Sequence, residues 1–109
     1  MEKVKLCCKC NNQEELVKCL TLLKGVGITW PCYLRINIKE DASRLNYGKP
    51  IIICLNQRGK GFVITYSSNT KLKYGYNTLY PYADDVTYFI VNFKKFAEAI
   101  NRYYRTWKK

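Results

Sequence analysis

The chain has 109 residues, 48% of them hydrophobic and 25% charged, and its 19 Lys and Arg against 8 Asp and Glu give a formal charge of +11. These values predict one ordered domain over residues 1–109 and exclude a disordered chain; no apolar run, Ile51–Leu55 included, approaches the ~20 residues of a membrane-spanning helix. With no histidine, Ser-His-Asp and Cys-His catalysis and histidine-ligated metals are excluded as well.

Val4, Leu6, Cys8 and Cys10 alternate with Lys3, Lys5, Cys7 and Lys9, a period of two that predicts a half-buried strand. Asn12 is placed to cap a helix, with Glu15 three residues on as its capping-box partner. Leu16, Val17, Leu20 and Leu23 form the apolar stripe of that helix, Cys19 lies at the stripe's edge, and Gly25 is expected to stop the helix after Lys24. Residues 27–30 read as a short extended segment closed by Pro31.

Tyr33–Lys39 alternates again, with Leu34, Ile36 and Ile38 on one face and Tyr33, Arg35, Asn37 and Lys39 on the other, so a second strand is expected there. Residues 40–50 carry Asp41, Ser43, Asn46, Gly48 and Pro50 and read as a loop. Pro50–Asn56 is continuously apolar, as in an inner strand covered on both faces, and 57–60 reads as a hairpin connection into Gly61–Tyr66. Residues 67–85 read as a long irregular loop, followed by a last strand at Val86–Val91. Asn92 then caps a final helix whose Phe93, Phe96, Ala97, Ile100, Tyr103, Tyr104 and Trp107 share one face, opposite Lys94, Lys95, Arg102 and Arg105.

The predicted class is α+β: a two-layer sandwich in the order β-α-β-β-β-β-α, with a mostly antiparallel twisted sheet and both helices on one face. The other sheet face would then be basic and partly open, carrying Lys3, Lys5, Lys9, Arg35 and Lys39.

Three of the six cysteines fall within "CCKC", residues 7–10. In an extended strand Cys7 and Cys10 point to opposite faces, which opposes their use as a zinc pair, and no second C-x-x-C completes a four-ligand set. Cys8 and Cys10 are expected in the core, and no metal or cofactor is expected. The acidic pairs Glu14/Glu15, Glu40/Asp41 and Asp84/Asp85 match no metal or acid–base motif, and Gly59-x-Gly61 is too short for a phosphate loop. The chain is therefore read as non-enzymatic.

Among ten tyrosines, Tyr74, Tyr76, Tyr80 and Tyr82 crowd the stretch "YGYNTLYPY", next to Lys71 and Lys73. A tyrosine gives a flat stacking face with a polar tip, which suits nucleic-acid bases and protein hot spots alike. The candidate binding residues are these six, with Arg35, Lys39 and Arg58 added for charge. Folding of the same loop over the sheet, with its rings buried, is the competing expectation.

At "EELVKCLTLLKGVGITW" the residues Leu22, Leu23, Gly27, Ile28, Thr29 and Trp30, and more loosely Val91–Phe96, resemble short proteins of phages and mobile elements from AT-rich bacteria. The similarity covers about a third of the chain and carries no catalytic residues. It implies an inhibitor of host defence of the anti-CRISPR kind, which works by occluding a site or capturing a ligand. The expected partner is then a host defence protein or its nucleic-acid or nucleotide ligand, an anionic partner being favoured by the charge and no membrane being involved. The alternatives are a general nucleic-acid- or nucleotide-binding protein and, third, a small enzyme using Cys or carboxylates. Residues near the start lack a signal-peptide pattern, so a cytoplasmic location in the bacterial host cell, with the cysteines reduced, is expected.

Overall fold

The computed structural model of the chain describes residues 3–45, 50–58, 61–68, 73–78 and 86–107. Over these residues it is an α+β fold with a five-stranded sheet and three helices. The elements are β1 (Lys3–Cys10), α1 (Gln13–Gly25), α2 (Ile38–Leu45), β2 (Ile51–Arg58), β3 (Gly61–Ser67), β4 (Gly75–Thr78), β5 (Val86–Val91) and α3 (Phe93–Trp107). The sheet order is β3-β2-β1-β5-β4, with β1 at the centre. Three of the four described pairings are antiparallel; β1 and β5 run parallel, Cys7 beside Ile90.

Each helix starts on an asparagine. The Glu15, Glu40 and Lys95 N–H groups donate to the Oδ1 atoms of Asn12, Asn37 and Asn92, at 2.9, 3.1 and 2.9 Å. The first and third of these caps were legible in the sequence. The second overturns the strand expected at 33–39 and the loop expected at 40–50. Pro31–Tyr33 forms a tight turn with left-handed backbone at Cys32 and Tyr33, and Asn37 then opens α2, which runs through to Leu45. Leu34 is exposed, Ile36 is buried and Ile38 is half-buried, so the three do not share one sheet face. The segment instead follows helical spacing from Ile38 through Ala42 to Leu45.

The end of α1 also departs from expectation. Gly25 remains helical, and Gly27 takes the left-handed conformation with φ +85°. The Gly27 and Ile28 N–H groups donate to the carbonyls of Lys24 and Leu23, at 3.1 and 3.0 Å. That pair of bonds is a Schellman stop, and buried Ile28 and Leu23 make its apolar contact.

All three helices pack on one sheet face. Leu16, Leu20 and Leu23 of α1, Ala42 and Leu45 of α2, and Phe96 and Ile100 of α3 meet Cys8, Cys10, Ile51, Ile53, Leu55, Ile64 and Val91 from the sheet. The opposite face is apolar at its centre, where Cys7, Ile52, Cys54 and Ile90 are buried with Tyr88 against them. Cys7 therefore belongs to a second small core rather than to a polar face. Lys5 and Lys9 of β1 do lie on this side, half-buried, and the Lys5 Nζ sits 5.8 Å from the centre of the Tyr88 ring. Arg35 and Lys39 do not, because the segment that carries them is not a strand of this sheet. No helix among the described residues is long and apolar enough to cross a membrane.

Candidate functional site

Part of the stretch read as irregular loop is the edge strand β4, whose sole partner among the described residues is β5. The turn leading into it is fixed by one side chain. Asn77 accepts the Lys73 N–H on Oδ1 at 3.2 Å and donates from Nδ2 to the carbonyls of Lys73 and Gly75, at 2.7 and 2.9 Å. Gly75, at φ +102°, supplies the left-handed residue that the turn requires.

That scaffold holds two tyrosines at the surface. Tyr76 is 72% exposed yet stacks on Phe89 of β5, with ring centres 4.5 Å apart. Tyr74 is 52% exposed; its hydroxyl accepts from Asn11 Nδ2 at 3.0 Å, and the Lys9 Nζ lies 5.2 Å from its ring centre. Both rings are thus restrained within the chain, which lowers the entropy cost of any further contact they make. Exposed Lys73 adjoins them. Beside them is a hollow of about 200 Å³ lined by Tyr74, Gly75, Phe89, Ile90, Val91, Asn92 and Lys95. Ligand pockets run to roughly 300–1,000 Å³, so this hollow fits an inserted side chain better than a nucleotide.

Of the candidate residues, the structure brings together Lys73, Tyr74 and Tyr76, and adds Lys9 and Lys95. Lys71, Tyr80 and Tyr82 lie outside the described residues. Arg58 ends β2 opposite Gly61, and its side chain also lies outside them. Arg35 and Lys39 are exposed near the other edge of the sheet, where a bridge pairs Thr29 with Val63 of β3. Four strand spacings, about 19 Å, separate the two edges. The expected single surface joining Arg35 and Lys39 to the tyrosines is therefore not formed.

At the β3 edge a different feature stands out. The Trp30 N–H donates to the Leu34 carbonyl at 2.8 Å, so the chain reverses within four residues. Cys32 and Tyr33 meet that demand with φ +65° and +61°, a conformation that costs roughly 1–2 kcal/mol per non-glycine residue. The reversal leaves Tyr33 90% and Leu34 61% exposed. The period-two pattern concealed it.

The five buried cysteines divide by sheet face. Cys7 and Cys54 are cross-strand partners on the second core. The hydrogen bond between them raises Cys7 and lowers Cys54, and burial raises Cys7 further. On the helix side Cys8, Cys10 and Cys19 converge, their sulfurs all within 4.8 Å of one another. Hydrogen bonding with Cys19 and then with Cys8 pulls Cys10 down, against the effect of its burial. Cys8 and Cys19 are pushed up in return, first by their bonds to Cys10. The sequence placed Cys8 and Cys10 in the core; it did not place Cys19 against them, because that contact is set by how α1 crosses β1.

No family model, curated protein or solved structure matches this chain.

Proposed function

We propose that the chain is a non-enzymatic binding protein that docks onto a protein partner through the β4 edge and blocks a surface of it. The observation that carries this reading is the pair of restrained, exposed rings, Tyr74 and Tyr76, on a sheet edge flanked by Lys9, Lys73 and Lys95. Rigid tyrosines at the centre of an interface supply most of its energy, and lysines around them speed encounter with an acidic partner. An edge strand also offers unpaired backbone groups to an incoming strand. The resemblance to phage and mobile-element proteins supports a host defence factor as the partner and occlusion as the mode of inhibition. The size of the hollow supports occlusion over capture of a nucleotide.

The second reading is nucleic-acid binding, favoured by the charge of +11 and by lysines next to stacking rings. Salt separates the two. A complex that holds as salt rises, and that survives nuclease, supports protein docking; affinity that falls steeply with salt supports phosphate neutralisation. Affinity capture from bacterial lysate, with and without nuclease and at two salt concentrations, makes the comparison.

A further inference from the structure

The three sulfurs between β1 and α1 take no part in the edge surface, and packing does not require them to be sulfur. Cys8 and Cys10, two residues apart on one strand, send their side chains to the same sheet face. Cys19 descends onto them from the stripe of α1 that also carries Leu16, Leu20 and Leu23. All three are sealed from solvent, at 0–1% exposure.

Their spacing is that of a ligand set. A metal–sulfur bond of about 2.3 Å places sulfurs about 4.0 Å apart around a planar three-coordinate ion, and about 3.8 Å apart around a tetrahedral one. The Cys8 and Cys10 sulfurs stand 4.0 Å apart, and Cys19 completes the triangle within 4.8 Å. Closing the last corner needs only small side-chain rotations.

The number of ligands selects the ion. Zinc in a closed site takes four ligands. The chain has no histidine, and the sealed sulfurs admit no water as a fourth ligand. Glu15, one turn before Cys19, is engaged elsewhere: its carboxylate accepts from the Asn11 N–H at 3.1 Å and from Asn11 Nδ2 at 3.4 Å. Three soft sulfurs without a fourth donor among the described residues suit Cu(I), which is thiophilic and stable with three ligands.

We propose that Cys8, Cys10 and Cys19 bind one Cu(I) ion in a three-coordinate, all-sulfur site between β1 and α1. Three Cu–S bonds form, each sulfur binds as thiolate with the protons still held by the thiols leaving for solvent, and no electron is transferred. Because the site joins the central strand to α1, the ion cross-links the two layers of the fold. This inference stands independently of the binding surface at β4.

The test uses the full chain, reduced and handled without oxygen, titrated with Cu(I) in competition with a chromophoric Cu(I) chelator; a parallel titration uses Zn(II). The expected result is one Cu(I) per chain with a raised melting temperature. Cys19→Ser, checked for native fold by circular dichroism, should weaken retention by roughly tenfold or more, while Cys54→Ser on the opposite face should leave it unchanged. Copper-edge X-ray absorption of the wild-type complex should count three sulfur neighbours, a result that does not depend on any variant folding. Failure of the wild type to hold Cu(I) against the chelator overturns the proposal. So does equal retention by folded Cys19→Ser, a sulfur count other than three, or tighter binding of Zn(II) than of Cu(I).

Discussion

The Trp30 indole donates from Nε1 to Asp41 Oδ2 over 2.8 Å in the interior of the fold. The same oxygen accepts the Asn37 N–H at 2.9 Å, and Arg44 reaches Oδ1 at 3.2 Å. One buried carboxylate thus ties the reversal after Trp30 to the first turn of α2. Asp41→Ala leaves the indole N–H and the Asn37 N–H without this acceptor, and should cost about 1–3 kcal/mol in a urea denaturation series. In a double-mutant cycle with Trp30→Phe, the two losses should be less than additive. An unchanged unfolding midpoint for Asp41→Ala would remove this residue from the account of the fold.

That carboxylate also marks where the sequence was hardest to read. Leu34, Ile36 and Ile38 satisfy a period of two as well as any strand in the chain, yet Asn37 followed by Glu40 is a helix start of the same kind as Asn12 with Glu15. Local alternation and a local cap competed, and the buried bond from Trp30 to Asp41 decided for the helix. The strands β1, β2, β3 and β5 and the helices α1 and α3 were legible because their periodicity and caps agree. Part of the candidate site, Lys73, Tyr74 and Tyr76, was legible too. Tyr74 and Tyr76 follow from composition, whereas Lys9 and Lys95 reach the same edge only through the parallel pairing of β1 with β5 and the return of α3, contacts that no short window of sequence contains.

The two glycines near the end of α1 should respond in opposite directions. Gly27→Ala forces a Cβ into φ +85° and should cost about 1–2 kcal/mol. Gly25 is helical with nothing within 4 Å of an added Cβ, so Gly25→Ala should stabilise by roughly 0.5 kcal/mol through reduced backbone entropy of the unfolded chain. Melting temperatures of the two variants, measured together, check the sign of each. Gly25→Ala as the more damaging change would return the helix stop to Gly25.

Phe96 is fully buried where α3 meets the sheet. Phe96→Ala should therefore cost about 3–5 kcal/mol, from lost transfer energy and the cavity left behind. Chemical denaturation with a constant slope measures it. A variant with wild-type stability would mean that α3 is not part of the core.

The lysines at the β4 edge should act on encounter more than on the lifetime of a complex. Lys73→Ala with Lys95→Ala should slow association and flatten its dependence on ionic strength, with dissociation little changed. Stopped-flow or surface-based kinetics at two salt concentrations resolves the two rates. An effect confined to dissociation would assign these side chains to direct contacts instead.

The proposed function stands or falls on recognition through the restrained pair Tyr74 and Tyr76. The most direct measurement is quantitative capture of host proteins from nuclease-treated lysate by wild-type chain, by Tyr74→Ala/Tyr76→Ala, and by Arg35→Ala/Lys39→Ala, each first shown to melt like wild type. A host protein should be recovered by wild type and by the Arg35/Lys39 variant, and the tyrosine variant should lose it with an affinity drop of roughly tenfold or more. Equal recovery by the folded tyrosine variant would contradict the claim and move the binding surface away from β4.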